Sequence, residues 1–390
     1  MKHLISLIDG TSVSAATGGT RAPFSNVFQI NCLIDQSDSE PGSSEAAAQI
    51  VFYSSGIASL PDEASAFDAM TGNTIKSQII EQYINICSNF DFESRADKIY
   101  LFGYSRGAMA ARALAGLISE FGLLLPQQMH ELPAIIDAWE QGLGDQDIAE
   151  DIRIKSVDIE FVGLFDSVMG GIPEIGVFNP IKFKNHTLPR SCKVAIHLLA
   201  IDEDRSLFAP VFWDAKTTDQ QVLRQIWMPG THGDVGGSGA RIWGVTALTT
   251  MVHYIETYTS LRIFQEELSD QYAMARQQIG GSGLVISQVS SELLKMMRGS
   301  QAARTFQKIG GARAKSAHHF YHPICARLHG RAVRYKGHDN WRFWKRDVFD
   351  KYEWSKLESA DDLLEVTDRI FSVRRRKKAS NASASYTPAA

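Results

Sequence analysis

A serine, an aspartate and a histidine each follow an apolar run in this chain, where acyl-transfer chemistry would need them. Ser105 lies in Gly103-Tyr104-Ser105-Arg106-Gly107, after Lys98-Ile99-Tyr100-Leu101-Phe102 and before the small-residue stretch Ala108 to Gly116. Strand, tight turn and helix is the context in which a G-x-S-x-G turn lifts its hydroxyl above a sheet. The flanking glycines remove Cβ atoms that would block the turn. Ala108, Ala111, Ala115 and Gly116 let the helix pack close. N–H groups at the helix start, led by that of Arg106, face a developing oxyanion. A serine hydroxyl at neutral pH is a weak nucleophile. It needs a neutral imidazole to take its proton, and a carboxylate to fix the imidazole tautomer and offset the imidazolium charge. Asp166 ends the run Ile159–Phe165, where a carboxylate without a partner would be costly. His232 follows Gln225–Met228 in a glycine-rich loop reaching Gly237, able to approach the serine turn.

Competing candidates lie in the same stretches. His197, inside the apolar run Lys193–Ala200, reads as a core or supporting histidine. Asp166 has a plain alternative as a turn cap. Asp234 reads as an organiser of the histidine loop or as an oxygen ligand for a structural or activating divalent cation, and a Ser105–Asp234 dyad is a further alternative. Asp9-Gly10-Thr11 begins like a phosphatase D-x-D loop, but Thr11 stands where the second aspartate is needed. Asp9 therefore reads as structural, with the Gly10 and Thr11 amides completing an oxyanion hole. The four cysteines are scattered without metal-type spacing, so neither a disulfide framework nor a resident metal or other cofactor is expected.

The elements that must position these groups follow from hydrophobic patterning. Apolar runs at 4–8, 49–53, 98–102, 159–165 and 225–228 read as strands, and 193–200 reads equally as strand or helix. Ile79, Ile80, Tyr83, Ile84 and Cys87 share one face of a helix over 75–90, and 131–154 reads as a second, acidic helix. Strands alternating with helices imply an α/β fold: a mostly parallel sheet with helices on both faces. Ligands of such sheets gather at the carboxyl ends of the strands. From about Gly280 the character turns basic and aromatic. We expect a catalytic domain over 1–280, a mainly helical C-terminal region over 281–373 packed on it, and a disordered basic tail over 374–390.

With 390 residues, 44% of them hydrophobic, the chain can bury a large core, and a net charge of −4 excludes a global basic field for nucleic acid. The N-terminal apolar run is too short for a signal peptide, and no stretch reaches the roughly 18 apolar residues of a membrane span. The expectation is a cytoplasmic location in the producing cell, with export as folded cargo left open.

Six segments together resemble the α/β-hydrolase domain of type VI secretion phospholipase effectors, long catalogued as a domain of unknown function. They are Asp9-Gly10-Thr11, Phe52 to Ile57, Phe102 to Ala108 with Ala111-Arg112, Gly163 to Val168, Ala200 to Arg205 running to Phe208-Ala209-Pro210, and Met228 to Gly237. They span about residues 3 to 245 in the family's order. Phe165-Asp166-Ser167 stands where the family often has Trp-Asp-Thr, and Ser238-Gly239 where it has an aromatic residue. The resemblance implies an α/β-hydrolase fold, a Ser105–Asp166–His232 triad, and hydrolysis of carboxylic esters, with glycerophospholipids as substrate. It also implies delivery to a target cell and a cognate immunity protein. Under that reading Gly170 to Phe178 forms an acyl-binding lid or else a buried loop, and Trp341 to Trp354 rests on lipid headgroups or else packs on the core. A soluble esterase or thioesterase, and a non-catalytic, cation-dependent binding protein, are the competing function classes.

Overall fold

The computed structural model describes residues 1–10, 24–36, 47–56, 72–145, 148–169, 187–203, 205, 208–239, 241–281, 285–286, 318–335, 341–343 and 357–371. Thr11, the expected lid segment 170–178, most of the aromatic-basic stretch 341–354 and the tail 374–390 lie outside them, or nearly so.

Eight described strands form one sheet: β1 (Lys2–Ile8), β2 (Ala48–Ser54), β3 (Lys98–Tyr104), β4 (Ile159–Phe165), β5 (Cys192–Ala200), β6 (Val222–Met228), β7 (His319–Tyr321) and β8 (Glu358–Ser359). Their spatial order is β8-β7-β6-β5-β4-β3-β1-β2, and every pairing is parallel. A parallel sheet is buried on both faces, so its central strands read as continuous apolar runs. That is why Lys193–Ala200 is ambiguous in sequence. It lies in β5, where only Lys193 of the seven residues from Lys193 to Leu199 is exposed, and both faces of the strand are covered.

The chain steps from β1 out to the edge strand β2 and then runs back through β3, which sends α1 (Asn26–Leu33) to one face and α2 (Gly72–Asn89) and α3 (Arg106–Phe121) to the other, as right-handed crossovers require. Leu4, Ile8, Ile99, Leu101, Val162 and Leu164 pack against α2, α3 and α4 (Leu132–Gln141). Ile5, Leu7, Tyr100, Phe102, Phe161 and Phe165 pack against α1, α6 (Arg241–Tyr258) and α7 (Gln265–Gly281); α5 (His232–Val235) is a short turn between β6 and α6. The helix read over 131–154 is shorter than expected. Gly142 takes a left-handed φ of 69° and caps α4, and the chain returns to an extended pair at Arg153–Ile154. Described residues beyond 281 enter both this sheet and core and a separate three-stranded sheet of Val285–Ile286, Ala332–Tyr335 and Trp341–Phe343. They supply β7 and β8, then α8 (Ile324–Leu328), which packs on Leu199 and Trp227, and α9 (Leu364–Phe371), which packs beside α7.

The glycines of the serine turn are fixed by close approach. A Cβ at Gly107 would lie 2.3 Å from the Ile8 carbonyl oxygen and 2.5 Å from that of Asp9, and one at Gly103 would lie 2.4 Å from the Gly107 oxygen. Ala108, Ala110, Ala111, Ala113 and Ala115 are buried and seat α3 on the sheet. Gly116, read as a close-packing residue, has nothing within 4 Å of its Cβ position, so the alanines carry that role alone. Gly107→Ala should therefore drive the first turn of α3 off β1 and destabilise the fold by about 1–3 kcal/mol. Gly116→Ala should be neutral or slightly stabilising. Urea unfolding of the two variants checks this ranking.

Candidate active site

The sheet order places the switch point between β1 and β3, and a ligand crevice forms at that reversal in open α/β sheets. Ser105 follows β3 there, between Asp9-Gly10 after β1 and Asp166 after β4. Among the described residues, three non-glycine positions have positive φ: Arg95, Ser105 (58°) and Asp166 (44°). Two of the three are residues expected at the site, and strain of this kind persists only where the surrounding structure enforces it. Each is held by its neighbour strand. Ser105 N–H donates to the Phe165 carbonyl at 3.0 Å, and Asp166 N–H to that of Leu198 at 2.8 Å.

The three side chains meet. Ser105 Oγ lies 2.8 Å from His232 Nε2, and His232 Nδ1 lies 2.7 Å from Asp166 Oδ2. Asp166 is fully buried, and its other oxygen accepts the Ala200 N–H at 3.0 Å. Two hydrogen bonds thus offset the cost of burying the carboxylate. Nδ1 bears the proton that Asp166 accepts, which leaves Nε2 as the acceptor for the serine proton. Arg106 begins α3, a 16-residue helix whose first N–H groups have no carbonyl one turn back within the helix. They and the positive end of the helix dipole lie next to Ser105, the residue that caps α3.

His232 does not sit in an open loop. It is the first residue of α5, where Thr231 and Asp234 form a capping box. Asp234 Oδ2 accepts the Thr231 N–H at 3.0 Å and its hydroxyl at 3.1 Å. The T-x-x-D spacing was the signal for this turn. Asp234 therefore closes the histidine turn, while Asp166 is the carboxylate bonded to the imidazole. Gly236 passes so close to Tyr104 that a Cβ would lie 2.1 Å from its ring, and Asn26 Nδ2 donates to the Val235 and Gly244 carbonyls, each at 2.9 Å.

His197 is fully buried in β5, away from the serine. Its Nε2 accepts the Ser167 N–H at 3.1 Å, and burial pushes its pKa down to about 3, so it stays neutral and braces the residue after Asp166. Asp9 is also buried. One oxygen accepts the Gly10 N–H at 2.8 Å, and the other accepts the hydroxyls of Ser25 (2.6 Å) and Tyr53 (2.9 Å). The Gly10 amide is thus committed to Asp9. Gly10 still lies against the nucleophile, since a Cβ there would be 3.1 Å from Ser105 Cβ. Sequence reading assigned no role to Tyr104, Glu203, Arg205 or Phe208, all of which surround His232. Their signal was membership of two segments that carry the family resemblance, Phe102 to Ala108 and Ala200 to Pro210.

The fold is α/β-hydrolase-like, and Ser105, His232 and Asp166 form a hydrogen-bonded row at its switch point. Residues 2–253 match the family model described as the type VI secretion phospholipase effector Tle1-like catalytic domain, and the chain belongs to that family. An uncharacterised protein of Saccharomyces cerevisiae, YEL023C, is 27% identical over 235 residues, covering 53% of this chain and 32% of its own length. A Tle1 effector solved bound to the VgrG spike of the type VI secretion system is 21% identical over 62% of this chain and 52% of its own, with a TM-score of 0.39. An uncharacterised protein from Pseudomonas aeruginosa aligns over 77% of this chain and 56% of its own, at 15% identity and a TM-score of 0.38. The chain thus spans about a third of the yeast relative and about half of each solved structure.

The Asp9 cluster gives a pH test. Burial pushes its carboxyl from 3.8 up to about 6, against the pull of its three hydrogen bonds. The folded state therefore holds more protons than the unfolded chain between those values. Stability falls as pH rises through that window and levels off above it. Asp9→Asn keeps the shape and removes the titration. Its stability relative to wild type should rise by up to about 3 kcal/mol between pH 4 and pH 7, read by chemical denaturation at both pH values.

Proposed function

We propose that this protein is a serine hydrolase of carboxylic esters, acting on glycerophospholipids as a phospholipase A-type enzyme. The observation that carries the reading is the continuous relay from Ser105 Oγ through His232 to a buried Asp166, with Ser105 held at φ 58° at the start of a helix. Membership of a family described by phospholipase effectors supports the substrate class and delivery to a target cell.

In this mechanism Ser105 Oγ attacks the ester carbonyl as His232 Nε2 takes its proton. Asp166 accepts the Nδ1 hydrogen bond throughout and offsets the imidazolium charge. The Arg106 N–H at the start of α3 stabilises the oxyanion. Collapse of the tetrahedral intermediate breaks the ester C–O bond, and the imidazolium returns its proton to the leaving alcohol. Water then attacks the acyl carbon as Nε2 takes its proton, and the imidazolium returns that proton to Ser105 Oγ as the Oγ–C bond breaks and the fatty acid leaves.

Wild type should be labelled at Ser105 by a fluorophosphonate probe and should release fatty acid from phospholipid vesicles. Ser105→Ala and His232→Ala should each abolish turnover with folding intact, since members of a triad act as a unit. Labelled wild type that cleaves a short soluble ester but leaves vesicles intact would overturn the phospholipid assignment alone. Absence of labelling would overturn the serine-hydrolase reading.

Asp166→Asn should lower kcat by about 10⁴, because the amide favours the wrong imidazole tautomer. Asp234→Asn should cost much less. Steady-state kinetics on one soluble ester ranks the two, and the reverse order would favour Asp234 as the catalytic carboxylate.

A further inference from the structure

The segment after β5 closes over the imidazole. Asp202 pairs with Gly230, just ahead of the histidine, through two bonds: Gly230 N–H to Asp202 Oδ2 at 2.8 Å, and Asp202 N–H to the Gly230 carbonyl at 2.9 Å. Glu203 Oε2 accepts the His232 backbone N–H at 3.1 Å. The Glu203 side chain is 1% exposed, and a carboxylate that deep requires a counter-charge. Arg205 supplies it by a two-pronged contact, Nε to Oε1 at 2.6 Å and Nη2 to Oε2 at 2.7 Å. The guanidinium carbon lies 3.7 Å from the centre of the Phe208 ring, and that ring meets the His232 imidazole edge-on at 4.8 Å between centroids. Tyr104 covers the imidazole at 4.9 Å, and its hydroxyl donates to the His232 carbonyl at 3.3 Å.

We infer that Glu203, Arg205 and Phe208 form a positioning clamp that sets the His232 imidazole between Ser105 and Asp166, with the Glu203–Arg205 pair kept charge-balanced beside the base. The inference rests on the serine-hydrolase reading. None of the three residues needs to touch substrate. Glu203 fixes the backbone from which the imidazole hangs, Phe208 fixes the ring plane, and Arg205 ties the two together. Proton transfer at 2.8 Å tolerates little drift of the base, since a misplacement of about 1 Å costs on the order of 100-fold.

Charge balance gives the clamp a signature that a purely structural contact lacks. The ionisable groups facing His232 are Asp166 from the end of β4, Tyr104 from the end of β3, Glu203 and Arg205 after β5, and Asp234 on its own turn. Arg106 stands beside Ser105 at the start of α3, and Asp9 lies across Tyr104. Removing the cation of the pair leaves a bare carboxylate near the imidazole, which favours imidazolium and moves the acid limb of the rate profile to higher pH. Removing the anion leaves a bare guanidinium and moves that limb to lower pH.

The experiment is the pH dependence of fluorophosphonate labelling, and of kcat and KM on p-nitrophenyl butyrate, for wild type, Arg205→Gln, Glu203→Gln and the double variant. Limb shifts of about one pH unit in opposite directions are expected for the single variants, with the double variant returning towards wild type. Their kcat should fall about 10- to 100-fold with little change in KM. Arg205→Lys keeps the charge but not the fork or the flat stack on Phe208. It should lower kcat without moving the limb, and it serves as the readout if Arg205→Gln does not fold. A labelled wild type whose variants share its kcat and pH profile, or shift in the same direction, overturns the clamp alone. A wild type that does not label overturns the hydrolase reading, and the clamp with it.

Discussion

The close approach of the first turn of α3 to the end of β1 is the contact on which the site depends. Gly107 faces the Ile8 and Asp9 carbonyl oxygens where any Cβ would be at 2.3 and 2.5 Å. With the helix that near, the residue between β3 and α3 has room only for a backbone at φ 58° and ψ −123°. Such a conformation in a non-glycine residue costs about 1–3 kcal/mol and persists only where the surroundings enforce it. Here they are the Phe165 carbonyl on the Ser105 N–H and the buried alanine face that seats α3. The same turn that strains the backbone points Oγ away from the sheet. It also brings the helix N-terminus to the nucleophile.

Around that fixed hydroxyl the protein buries five carboxylates, and besides Asp202, tied to Gly230, four are satisfied in different ways. Asp166 is bound by an imidazole N–H and a backbone amide, so it can take up the imidazolium charge without moving. Glu203 is bound by a guanidinium and by the base's own backbone. Asp234 spends an oxygen on closing the turn that carries the base. Asp9 is held by two hydroxyls and one amide, neutral donors all, and burial therefore pushes its carboxyl up to about 6. The contrast separates roles that residue type alone does not. One carboxylate is bonded to the imidazole, and the others brace the segments that meet there.

Much of this was legible in the chain because it rests on local pattern. Continuous apolar runs marked β1, β3 and β4, the glycines marked the serine turn, and chemistry-bearing residues fell at strand ends. The choice of His232 over His197 followed from a strand-end position against an apolar run, and the structure keeps His197 buried and neutral. Other features were not legible, for physical reasons. A strand covered on both faces has no period, so Lys193–Ala200 stayed undecided. Gly142 ended α4 inside a stretch whose apolar spacing continued. The Asp9 carboxylate takes up the Gly10 amide through a side-chain bond that no spacing announces. The clamp on His232 joins residues after β5 to one after β6, a contact that exists only once the two strands lie side by side.

That last contact follows from the strand order. Ser105 follows β3 and His232 follows β6, with β4 and β5 between them. Strands lie about 4.8 Å apart, so the histidine turn must lean back roughly 14 Å across two neighbours to bring Nε2 to the serine. A glycine-rich turn of that reach would wander unless tied at several points. The ties come from the elements it crosses: Asp202 and Glu203 from the end of β5, Asp166 from the end of β4, Tyr104 from the end of β3. Asn26 adds another from the start of α1, which packs on the same face as α6. Each strand between base and nucleophile thus contributes a group that holds the base in place. The 2.8 Å contact at Ser105 is therefore a property of the sheet as a whole rather than of the loop that bears the histidine.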